Sequence, residues 1–198
     1  MPGFRLTQGA FYLSTGIWLG ALIMLVIAAV ATFDTVRVHE PILQAAPYNA
    51  PELADRGDAI LAGAIVGRVL RGLMAVQLLC AATACAALAI EHARYGDQLV
   101  AGGRNPASRL RAGLVLVPTL IIALNLAWIG PTVWEQRSVM YDVSAAAEDR
   151  HRARVAFDRY HALSERTHGV AGLLLAGAIL IAPFAVRRPG PTDHGSPA

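Results

Sequence analysis

The chain reads as an all-α, four-helix transmembrane bundle. Three observations predict this. Hydrophobic residues fill 55% of the 198 positions and charged residues only 16%, against roughly 25% charged in an ordinary soluble domain. The apolar residues gather into four stretches, each of about the length that crosses ~30 Å of hydrocarbon as a helix. None of the four alternates polar with apolar, and Ala and Leu dominate them, so strands are excluded. The same balance excludes a disordered chain, a soluble enzyme of ordinary composition and a nucleic-acid-binding domain. The 17 basic residues are all Arg, and the net charge is +3. They scatter over loops and helix ends and form no dense run of the kind a nucleic-acid arm shows.

The first span is expected at residues 11–33, which carry no charge. A cleaved signal peptide is the rival reading, with Ala29-Val30-Ala31 as its cleavage site, but the uncharged run exceeds the usual h-region of about 7–15 residues. Tyr12 and Trp18 read as interface anchors. The second span is expected at 72–90 and the third at 112–134. Pro118 threatens to kink the third span, and Gly130-Pro131 is expected to end or bend it. The fourth is expected at 169–186.

Two of these helices should project beyond the lipid. Asp58 could cap the second, which then starts near Ala59. The stretch from Ser144 to His168 lacks Gly and Pro, so the fourth helix gains a polar first half. The whole is one membrane domain over 1–188, followed by a tail, 189–198, expected to be disordered. With four spans, the termini and the middle loop share one side. That side has seven Arg against three acidic residues, densely placed, which predicts cytoplasmic termini and a bacterial inner membrane.

Several side chains could carry chemistry. Arg68 and Arg71, one turn apart at the edge of the second apolar stretch, are a candidate ion-pair or anion site; the plain alternative is that both snorkel to the surface. His161, Glu165 and His168 fall at i, i+4 and i+7, within about 60° of one helix face. With Ser164 they form a candidate polar seam or ligand site, and His161 is expected to face the bundle interior. Two imidazoles and a carboxylate could hold a metal, although i and i+7 stand about 10 Å apart along a straight helix. Asn125 and Gln77 are expected to hydrogen-bond between helices, and the pairs Gly16/Gly20 and Gly63/Gly67 to favour close helix packing. Cys80 and Cys85 read as packing residues.

Four elements together resemble a known family. They are Gly16-Ile17-Trp18-Leu19-Gly20, then Ala62-Gly63-Ala64-Ile65-Val66-Gly67, then Ile129-Gly130-Pro131, and finally Phe157-x-x-x-His161-x-x-Ser164. In this order, over residues 9–186, the chain resembles the small four-helix membrane proteins named for the eukaryotic transmembrane protein 205, grouped by a domain of unknown function. The family commonly has Asn where His168 stands here. The resemblance implies a fold and a membrane location and lends no activity.

The leading expectation is therefore a non-enzymatic integral membrane protein acting in assembly or interaction. Its partners would be the lipid bilayer and its own copies or other membrane proteins, with no nucleic acid and no cofactor. The alternatives are an oligomeric transporter of small solutes or ions, and a metal- or haem-binding redox protein using His161 and His168.

Overall fold

The computed structural model describes residues 2–39, 57–99 and 106–185. Among them every regular element is helical: α1 (Pro2–His39), α2 (Gly57–Leu99), α3 (Pro106–Leu124), a π-turn (Asn125–Ile129), α4 (Gly130–Met140) and α5 (Ala147–Ala185). The π-turn joins α3 to α4 without a break, so four rods are long and apolar enough to cross a membrane. The chain is an all-α four-helix bundle. The expected tail at 189–198 and the side chain of Asp58 lie outside the described residues.

As expected, α2 and α5 begin well before their apolar stretches, at Gly57 and Ala147. Gly130-Pro131 does not end the third span. Pro131 has no N–H to give to the preceding turn, and the helix absorbs this by widening just before it. The Gly130 N–H reaches back five residues to the Asn125 carbonyl. A Cβ at position 130 would stand 2.8 Å from that carbonyl oxygen, so only glycine fits.

α1 packs mainly on α2, and α3 and α4 mainly on α5; smaller contacts of α1 with α5 and α2 with α3 join the two halves. Two apolar layers stack inside. Phe11 meets Ala84, Ala87, Val115, Ala178 and Ala182 in the layer nearer the chain termini. Above it, Trp18 and Leu22 meet Cys80, Ala81, Ile122, Ala171 and Leu175. Alanines on α2 and α5 bring the helices close, and two aromatic rings from α1 fill what remains. Such van der Waals fit is what joins helices in lipid, where hydrocarbon outside is as apolar as the core. Trp18 is thus a core residue with no solvent-accessible surface, not an interface anchor, while Tyr12 is exposed. Along the apolar stretches the outward faces carry exposed hydrophobic side chains, with Leu13, Val26, Leu120, Leu173 and Leu180 all largely exposed, as a lipid-facing surface requires.

Candidate functional site

Polar side chains occupy three levels of the bundle. We name the ends by the chain: the terminal end holds the start of α1 and the end of α5, and the distal end is opposite.

At the terminal end, α2 and α3 each bury one charge. Arg111 and Glu91 are 3% and 5% exposed, and the Arg111 guanidinium donates to Glu91 Oε2 at 3.0 Å. Gln8 on α1 donates to the other carboxylate oxygen at 2.7 Å. The guanidinium also lies 3.9 Å above the Phe11 ring. Three helices thus meet on one ion pair. In the sequence both residues look like charges just outside a span. The readable signal is their placement: an acid ends one apolar stretch and a base begins the next, so a helical hairpin sets them at one depth.

In the middle lies a neutral layer. Asn125, 2% exposed, donates from Nδ2 to the Ile121 carbonyl at 3.0 Å and to Thr167 Oγ1 at 3.1 Å. Ser164 Oγ donates to Asn125 Oδ1 at 3.0 Å, and Thr167 Oγ1 to the Ser164 carbonyl at 2.9 Å. His168 joins from the edge. Its Nδ1 is 2.8 Å from the same carbonyl, so that nitrogen bears the proton. Asn125 therefore bonds between helices as expected, but Gln77 does not. It is buried, and neither its Nε2 nor its Oε1 has a hydrogen-bond partner among the described residues. The Trp18 Nε1 is likewise buried with no hydrogen-bond partner among the described residues.

The expected seam at 161–168 divides in two. Ser164 and His168 belong to the neutral layer. His161 and Glu165 pair with each other at 3.2 Å along the exposed flank of α5, their side chains 53% and 68% exposed. His161 also stacks on Phe157, with ring centroids 5.3 Å apart. The expectation that His161 faces the interior is corrected. The inward stripe of α5 runs through Ser164, Thr167 and Ala171, and His161 lies about 90° around the helix from its centre. Among the described residues, no three of His, Cys, Asp and Glu gather as a metal site would require.

At the distal end, α2 and α4 flank a groove of about 970 Å³. Arg137 on α4 donates to the Gly63 carbonyl at 2.8 Å and the Ile60 carbonyl at 2.9 Å. Trp134 lies against Gly67, where a Cβ would meet its ring at 2.4 Å. The Gly63/Gly67 spacing thus makes a notch for two α4 side chains. Arg71 rests over the other part of this assembly, 4.8 Å from the Trp134 ring centroid, and Arg68 lines the groove beside it. Neither has a carboxylate partner among the described residues. On the far rim the Ser144 hydroxyl and backbone N–H both donate to Asp142 Oδ1 and hold its carboxyl below the usual range.

No protein-family model matches this chain, and no curated protein or solved structure matches it either.

Proposed function

We propose that this is a non-enzymatic integral membrane protein that works by lateral association, with its own copies or with other membrane proteins. The carrying observation is the free face of α1. Gly9, Gly16 and Gly20 fall within about 40° of one line along that helix, and a Cβ on any of them would meet nothing within 4 Å. Only 11% of the most apolar window of α1 is buried. Small residues on one line let a second helix approach closely, which is the main source of helix affinity in lipid. The interior, by contrast, is filled by Phe11, Trp18, Ile122 and Leu175.

Mass measurement of the protein in detergent and in nanodiscs tests this. The wild type should form a discrete oligomer or copurify with a fixed partner, and Gly16→Leu with Gly20→Leu should abolish it. A wild-type protein that stays single in nanodiscs and crosslinks to nothing in native membranes contradicts the reading. Solute flux into protein-loaded vesicles would favour the transporter alternative instead.

The same proposal puts the protein in a bacterial inner membrane with its termini in the cytoplasm. Arg5, Arg94 and Arg109 support this as exposed cations of the terminal end, while Arg111 is neutralised by Glu91. Reporter fusions at Gly102 and at the C-terminus should both signal cytoplasm. The likeness to the transmembrane protein 205 family agrees with the fold and the location.

A further inference from the structure

We infer that the distal groove between α2 and α4 holds the phosphate headgroup of an anionic phospholipid from the adjoining leaflet.

The first ground is depth. Along α2 the rise from Glu91 to Arg71 is about 30 Å, the thickness of a bilayer's hydrocarbon core. With Glu91 and Arg111 at one edge of that core, Arg71 stands at the other, where headgroup phosphates begin. The second ground is charge. Arg68 and Arg71 are exposed, one turn apart, and have no carboxylate partner among the described residues. Two forked guanidinium groups offer planar, multiple donors of the kind that match a phosphate.

The third ground is rigidity. Arg71 is not a free surface cation: it lies on Trp134, and Trp134 is locked in the Gly67 notch. Arg137 closes the back of the groove by bonding two α2 carbonyls. A preordered cation loses less freedom when it binds. The fourth ground is the apolar path. Directly below the two arginines, on the same face of α2, Gly72, Ala75, Val76 and Leu79 are all exposed. An acyl chain attached to a phosphate held at Arg68 and Arg71 would run down that strip. A free phosphate would use the arginines and leave the strip idle, which is why a lipid is the better fit.

Native mass spectrometry of the full chain, released from nanodiscs of phosphatidylglycerol mixed with phosphatidylcholine, tests this. The wild type should keep phosphatidylglycerol in preference to phosphatidylcholine. Arg68→Gln with Arg71→Gln should lower that retention about tenfold, the size of losing charge-assisted hydrogen bonds. Arg152→Gln, on the exposed flank of α5, should not. Should the double variant fail to fold, Arg68→Gln alone removes a side chain that has no carboxylate partner among the described residues, and must still reduce retention. Equal retention by wild type and variants, or no preference between the two lipids, overturns the inference. So does full displacement of the lipid by inorganic phosphate, which would mark a site for the free ion.

Discussion

The terminal end and the middle of this bundle solve the same problem with different chemistry. Both must join helices inside lipid, and both bury polar groups to do it. The terminal end uses a full ion pair, Glu91 with Arg111, where α2 and α3 touch only lightly. The middle uses neutral groups, Asn125 with Ser164 and Thr167, where α3 and α5 are already closely packed. The difference teaches where each device belongs. A charge is tolerable near the membrane edge, and only if its partner is fixed beside it; deeper in, a neutral amide with all its donors used costs far less to bury. On this contrast the light α2–α3 contact should depend on the ion pair, and the α3–α5 contact should outlast the loss of its hydrogen bonds.

The sharpest way to break this contrast is to orphan one charge. Arg111→Leu leaves Glu91 buried without its counter-charge, held by neutral donors such as Gln8, and should lower unfolding free energy in mixed micelles by about 3–5 kcal/mol. Glu91→Gln with Arg111→Leu together should recover much of that loss, because no charge remains buried. Next in size is the distal notch. Gly67→Val drives a side chain into Trp134, and should cost about 1–3 kcal/mol. Adding Trp134→Leu should return part of it, which thermal unfolding would read. In the middle, Asn125→Leu should cost about 1 kcal/mol, the usual scale of a hydrogen bond between membrane helices. Smallest is His161→Leu, expected within about 0.5 kcal/mol of wild type, because the His161–Glu165 pair is exposed. A large loss from that variant would return His161 to the interior.

The spans themselves were legible from hydropathy, because length and absence of charge suffice to mark a membrane helix. The extensions of α2 and α5 were legible too, since nothing in 144–168 breaks a helix. What escaped depends on rotation and on partners. Trp18 reads as an anchor by type, yet a shift of face on α1 makes it core. Gly130-Pro131 reads as an end or a bend, yet a five-residue turn carries the helix through it. His161 shares an arc with His168, but the arc straddles the boundary between the inward stripe and the flank. Glu91 and Arg111 look like charges just outside a span; their placement at facing span ends puts them at one depth, but the contact itself needs the two helices side by side. Gly63 and Gly67 read as a helix-packing pair, and nothing local says that Arg137 and Trp134 fill the space.

The most direct test is a pair of double-mutant cycles measured under one unfolding condition, Glu91/Arg111 against Asn125/Ser164. The predicted coupling is several-fold larger for the charged pair than for the neutral one, whose coupling stays at ~0.6 kcal/mol. Equal couplings, or a loss from Arg111→Leu no greater than that from Asn125→Leu, would contradict the view that the ion pair locks the terminal end.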